Sequence, residues 1–260
     1  RIPRRQSICR SGSPMPELLR TPPPIATPLV THVVGSRVIV YETITSTNDR
    51  ALRLGGDGTV IVAEMQTAGR GRHGRAWHSK PGMGLYFSVA FDRPTEGLAF
   101  AAPLAVRDAL SPVAETTIKW PNDVLIDGKK FCGVLVEARQ GRIVVGIGIN
   151  VHHRAEDFPD VLRNRATSIE AATGVHVDRG ELLRDVLTHL DERVVAIRAG
   201  CVAQVFGEWA ALCGVIGRRL RCASCEGRVQ LIDTDGALVI QSEDGPKRVM
   251  LGEIVELEGS

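Results

Sequence analysis

Three arginines, two histidines and a lysine stand among glycines between Gln66 and Lys80, in the run QTAGRGRHGRAWHSK. From Met65 to Phe91 no Asp or Glu interrupts this stretch, although the whole chain carries a formal net charge of only +2. The positive field therefore belongs to one site and not to a generally basic surface. Gly69, Gly71 and Gly74 spell GxGxxG, but a dinucleotide fingerprint needs a helix to open there. Arg, His and Trp fill that stretch instead, and Pro81, Gly82 and Gly84 break the chain again. What the residue types support is a loop whose backbone amides and guanidinium groups wrap a phosphate or phosphate ester. Taken alone, the same loop also reads as a solvated basic segment or as one that grips RNA.

A second cluster lies at Lys119–Asp123, KWPND. A lysine framed by a tryptophan and a rigid proline suits a pocket better than open solvent. There its ammonium would stabilise charge developing at a carbonyl or phosphoryl oxygen. Asn122, Asp123 and the distant Asn150 offer hard oxygen donors of the kind Mg²⁺ accepts through one or two direct contacts and water. Read by themselves, Trp120 is equally a core residue and Asn122-Asp123 a polar turn.

These clusters need elements to hold them. Arg37 to Glu42 reads as a strand; Ser46-Thr47-Asn48 caps a short helix that stops at Gly55-Gly56. Thr59 to Glu64 is an apolar β-branched strand feeding the basic loop, and Leu85 to Phe91 a strand leaving it. A mostly apolar helix over 97–110 is followed by strands near 124–126, 131–138 and 142–150, linked by DGKK and RQGR hairpins. Such hairpins oppose an all-parallel doubly wound sheet, so the fold class is α+β with a mixed sheet. A long helix spans about 181–197 behind an Asp178 cap, with Leu182, Leu183, Val186, Leu187, Leu190, Val194 and Ile197 on its inner face. Another follows over 202–212. Short strands over 218–222, 228–232, 237–241 and 248–251, with turns at Glu226-Gly227, Asp235-Gly236 and Asp244-Gly245, then form a small antiparallel β-barrel.

Composition narrows the class. The 260 residues, 43% hydrophobic and 24% charged, suffice for one substantial core plus a small appendage. No apolar run approaches the roughly 20 residues that span a bilayer. Six cysteines at irregular spacing suggest a reducing compartment, hence the cytoplasm. Cys222 and Cys225 form a CxxC without the partners of a zinc site or the helix of a redox motif, and read as small apolar residues near a turn. Half of the fourteen prolines crowd the first thirty residues beside a single acid, so 1–35 is expected to be a disordered leader, with 36–215 and 216–260 as the folded domains. An Arg/Ser-rich leader also fits a transit remnant or an upstream misreading of a start at Met15.

Five blocks carry a resemblance: TSTN at 45–48, QTAGRGRHGRAW at 66–77, KWPNDV at 119–124, KFCGVLVE at 130–137 and VGIGINV at 145–151. Their order and spacing resemble those of biotin protein ligases over residues 36 to 258. The resemblance implies a catalytic core like that of class II aminoacyl-tRNA synthetases followed by a small β-barrel. It implies an enzyme that activates biotin with ATP to biotinoyl-5′-AMP. The biotin then passes to one lysine of a biotin carboxyl carrier domain of an acyl-CoA carboxylase. Ser46, Thr47, Asn48 and Gln66 would line the biotin pocket, with Arg70, Gly71 and Arg72 covering biotin and its adenylate and Gly133 bordering it. Lys119 would hold the biotin carboxylate and α-phosphate, catalysing with Arg72. Arg75, Trp77, Asn122 and Asn150 would serve ATP, with Asn150 also towards Mg²⁺, and Asp123 would orient the acceptor amine. His73 stands where some relatives have another arginine, and Cys132 where many have alanine. The alternative within the fold is a lipoate or octanoate ligase, against which KWPND and GRGRHGR weigh together. With about 35 unpatterned residues before the first strand, no winged helix and no sequence-specific DNA binding are expected. A homodimer through sheet edges is the expected assembly.

Overall fold

The computed structural model describes residues 29–250, 252 and 254–257. Among these residues, strands and α-helices run, in chain order, β1 (Arg37–Ile44), α1 (Thr47–Leu54), β2 (Thr59–Gln66), β3 (Gly84–Phe91), α2 (Leu98–Leu110), β4 (Thr117–Lys119), β5 (Asp123–Ile126), β6 (Lys129–Arg139), β7 (Arg142–Asn150), α3 (Ile169–Thr173), α4 (Arg179–Arg198), α5 (Val202–Cys213), β8 (Arg219–Arg221), β9 (Glu226–Ile232), β10 (Leu238–Ser242), β11 (Gly245–Val249) and β12 (Val255–Glu256). Seven strands make one sheet in the order β1-β2-β3-β7-β6-β5-β4. Only β1 and β2 are parallel; every other pairing in it is antiparallel. The sheet is mixed, as the hairpin signals require.

Local chemistry accounts for the hairpins. Asp127-Gly128 and Gln140-Gly141 all lie at positive φ (49°, 74°, 53° and 77°), the paired left-handed geometry that lets a two-residue turn follow the strand twist. Helix α4 buries every residue of the inner face named above, and the Asp178 carboxylate accepts the Glu181 N–H at 2.9 Å as its cap. Helices α2, α4 and α5 cover one face of the large sheet, with Phe100, Phe206 and Trp209 meeting ring to ring.

The last five strands form an antiparallel sheet in the order β11-β10-β9-β8-β12. This sheet stands where the small C-terminal barrel is expected, and among the described residues no pairing joins β11 to β12. Leu220, Val229, Ile240 and Val249 of this sheet belong to the same apolar cluster as the large sheet's core. Boundaries shift as well. β9 begins at Glu226, where a turn was expected, and β11 spans 245–249 and not 248–251. Strand β4 was not foreseen, because three residues, TIK, are too few to show a period.

The leader needs correction at its end. Residues 1–28 lie outside the described residues, but the amides of His32, Val33 and Val34 all donate to the carboxylate of Asp191 at 2.7 Å. Val34 is fully buried. The segment just before β1 is therefore docked on α4, through a contact more than 150 residues away in sequence.

Candidate functional site

Every residue proposed from sequence for the site lines one cavity of about 440 Å³, a volume suited to a small organic ligand. Its floor is the face of β6 and β7 that carries glycines. Gly133 and Gly148 face each other across the two strands, and a Cβ on either would come within 3 Å of the Trp77 ring. A Cβ on Gly146 would strike the Asn48 side chain at 2.1 Å. Glycines at alternate positions of a strand thus leave space for two side chains arriving from elsewhere. The GIG of β7, within the VGIGINV block, is the sequence signal for this floor.

The α1 end of the cavity is a closed polar network. Ser46 caps α1 by accepting the Asp49 N–H at 3.4 Å. The Thr47 backbone N–H and hydroxyl both donate to Gln66 Oε1, at 2.9 and 3.1 Å. Buried Ser88 lies 2.7 Å from Thr47 Oγ1 and 2.6 Å from Asn48 Oδ1, while the Asn48 amide donates to Glu137 at 2.6 Å. Ser88 and Glu137 escaped the sequence reading. Both act from other strands, through contacts that no local spacing encodes.

The basic loop splits into arginines with different work. Arg70 makes paired bonds to Asp49 (2.9 and 2.8 Å) and to Glu137 (3.1 and 3.0 Å), and these partners hold its guanidinium well above its usual range. Its charge is therefore spent on carboxylates of the protein. Arg72 instead points inward, where burial pushes it below its ordinary value against the pull of Asp123, with Arg75 adding like-charge repulsion. It donates to Asn122 Oδ1 at 3.3 Å, and its buried Nη2 has no partner among the described residues. Around them the loop is pinned: Gly71 N–H donates to the Arg75 carbonyl at 2.7 Å and Trp77 N–H to the Gly69 carbonyl at 2.9 Å. Only a 3₁₀ turn, Arg72–Gly74, stands where a dinucleotide fingerprint would have a helix.

KWPND closes the hairpin between β4 and β5, with Lys119 and Asp123 as cross-strand partners. Lys119 lines the cavity as an exposed residue. Trp120 is buried and donates its Nε1–H to the Gly236 carbonyl at 2.7 Å, so it is a core residue that also ties the two sheets together. The Asn122 amide donates to the Val134 carbonyl at 2.7 Å. Asp123 is ion-paired with Lys130 at 2.7 Å, and Lys130 Nζ sits 5.3 Å from the Trp77 ring centroid in a cation–π contact. Asn150 is buried and uses its amide N–H on the Thr167 carbonyl at 3.1 Å. Buried His153, absent from the expectations, also lines the cavity. It lies 3.3 Å from the Tyr86 hydroxyl, and burial pulls it down to about 4.

A single site thus offers a polar pocket at α1, an aromatic wall at Trp77, one buried cationic N–H with unspent capacity and a lysine at the rim. That combination suits an apolar ligand with a polar ring joined to an anion. The family model described as the biotin/lipoate A/B protein ligase family matches residues 40–153. The chain is 35% identical over 246 residues to the bifunctional ligase/repressor BirA of Bacillus spizizenii, covering 87% of this chain and 76% of that one. It is 35% identical over 218 residues to the biotin–[acetyl-CoA-carboxylase] ligase of Mycobacterium tuberculosis, covering 77% and 80%. In structure it resembles the biotin protein ligase from Aquifex aeolicus in complex with biotin and ATP, with a TM-score of 0.75 and 31% identity over 86% of this chain and 100% of that one.

Proposed function

The chain belongs to the biotin/lipoate A/B protein ligase family, and from that premise we propose that it is an ATP-dependent biotin protein ligase. It activates biotin with MgATP and passes the biotinoyl group to a lysine of a carboxyl carrier domain. The observation that carries this reading is the convergence of all five sequence blocks on one cavity, with the unspent Arg72 N–H inside it.

In the first step a carboxylate oxygen of biotin attacks the α-phosphorus of ATP, forming the C–O–P bond as pyrophosphate leaves. Two anions must meet, so the protein's task is positioning and charge compensation, with no protein nucleophile. Ser46, Thr47, Asn48 and Gln66 would offer donors and acceptors to the ureido ring, and Gly133 the room beside it. Gly71 and Arg72 would cover the carboxylate and α-phosphate. Arg70 acts at one remove, holding Asp49 and Glu137 and through Glu137 the Asn48 amide. Lys119 would bridge the two reacting anions, with Arg75, Trp77, Asn122 and Asn150 towards the nucleotide.

Mg²⁺ would arrive with ATP and screen its phosphates. Asn150 fits as a single hard donor, since its amide donates to the Thr167 carbonyl and no hydrogen bond to its own carbonyl oxygen appears among the described residues. In the second step the acceptor amine attacks the acyl carbon, the C–O bond of the anhydride breaks, and AMP leaves. A lysine amine with a reference pKa of ~10.4 must first lose a proton. Asp123 would orient that amine only by giving up part of its bond to Lys130, which makes the pair the unit to probe.

Among the described residues no helix is long and apolar enough to cross a membrane. A cytoplasmic carrier domain is the proposed partner, and a homodimer would use a free edge of the large sheet, β1 or β4. The proposal does not extend to the repressor half of the BirA name. The decisive measurement is pyrophosphate exchange with MgATP in the presence of biotin, lipoate or octanoate. Exchange with biotin alone is expected; exchange with lipoate and none with biotin would assign the chain to the other branch of the family.

A further inference from the structure

Outside the cavity lining, β8 and β9 are joined by Cys222-Ala223-Ser224-Cys225. The Cys222 N–H donates to the Cys225 carbonyl at 2.8 Å, which closes the turn and sets the two sulfurs 3.1 Å apart. A disulfide needs about 2.05 Å, so roughly 1 Å of approach separates the dithiol from a bond. Both side chains rest one flank on the core and leave the other partly accessible. The remaining described cysteines lack this combination. Cys132 and Cys213 are buried, while Cys201 is exposed and no contact between it and another sulfur is found among the described residues.

The geometry points to Cys222 and Cys225 as a dithiol that peroxides oxidise reversibly to an intramolecular disulfide, a modification site separate from the ligand cavity. The two sulfurs divide the work. Burial raises both thiols, but at Cys222 hydrogen bonds from Ser224 and Cys225 outweigh it and hold the thiol below its ordinary value. At Cys225 burial and the neighbouring Cys222 push it up to about 11. Cys222 is therefore the attacking thiolate. Its sulfur takes one peroxide oxygen, forming an S–O bond as the O–O bond breaks and hydroxide leaves. The Cys225 sulfur then attacks the Cys222 sulfur; the S–S bond forms, the S–O bond breaks and water departs with the Cys225 proton. Two thiols lose two electrons and one peroxide gains them.

The turn lies next to the cavity wall in the sheet. Arg221, one residue before Cys222, pairs with Val255 of β12, and Val255 lines the cavity. The chemistry of the turn is nevertheless independent of which acyl group the cavity accepts, so the test leaves the proposed function untouched. Full-length protein is treated with sub-stoichiometric hydrogen peroxide, alkylated, digested and mapped by mass. The expected result is a loss of two hydrogens on the 222–225 peptide, reversed by dithiothreitol, before Cys201 is modified. In Cys225→Ser the sulfenic acid should persist on Cys222 and be trapped by dimedone, while Cys222→Ser should lose the fast reaction. Oxidation of Cys201 at an equal rate, or intermolecular disulfides in place of the 222–225 bond, would overturn the assignment.

Discussion

Lys119 stands at the cavity rim, and no hydrogen bond or ion pair from its ammonium appears among the described residues. Its removal should therefore leave folding alone and act on the chemistry. We expect Lys119→Ala to melt as the parent does while adenylate formation falls by ~10²–10³, the usual effect of losing one preorganised stabilising group. A single-turnover assay with labelled ATP reads this directly, and a normal rate would place the reacting centre elsewhere. Gly148 makes the opposite kind of residue-scale case. A methyl there would sit 2.5 Å from the Trp77 ring, so Gly148→Ala must displace the indole. Overpacking of this kind costs about 1–3 kcal/mol, and the displaced indole would also perturb the cavity wall. Intrinsic tryptophan fluorescence and biotin titration together should show both effects; unchanged fluorescence with unchanged affinity would mean that the floor yields instead.

At the scale of elements, Asp191 on α4 holds the segment that leads into β1 by accepting three backbone N–H groups. Asp191→Ala would strand those donors and is expected to cost ~2–4 kcal/mol, each charge-assisted bond contributing a share. Hydrogen exchange should quicken first at 32–34, and protection equal to that of the parent would count against the carboxylate as the anchor. Such long-range contacts also mark what the sequence could not convey. Ser46 as a cap, Asp178 as a cap and the α4 inner face were legible because each rests on neighbours a few residues away. Asp191, Ser88 and Glu137 were not, because their partners lie 157, 40 and 89 residues off. The cavity residues named from the five blocks were legible through motif resemblance, but His153 and the division of labour between Arg70 and Arg72 were not. Both look alike in GRGRHGR, and only the positions of Asp49 and Glu137 tell which guanidinium is already occupied.

The whole molecule should respond to acid in two stages. Burial lowers His153 from 6.5 to about 4, so between those values the unfolded chain binds a proton that the folded chain refuses. Stability supported by neutral His153 is thus complete above about pH 6.5 and is lost as pH falls towards 4, by up to ~3 kcal/mol. Below that, the carboxylates of Asp49 and Asp57, held low by their bonds to Arg70 and Arg198, take protons and release their partners. Urea unfolding from pH 7 to 4 should show the first slope in the parent and a flatter one in His153→Gln. Equal slopes in both would shift the cause to other groups.

The bond from Trp120 to the Gly236 carbonyl bears on how this protein can be engineered. Two hairpin tips of the small sheet, Glu243-Asp244 and Asp235-Gly236, look interchangeable as places to graft a peptide tag. Gly245, beside the first, has nothing within 4 Å of a Cβ position, and the tip faces solvent. A Cβ at Gly236 would come 3.0 Å from Phe100, and its carbonyl receives the indole N–H that neighbours Lys119. An insertion at 243–244 should lengthen the tip and change nothing else; one at 235–236 would pull on the stem that carries the rim lysine.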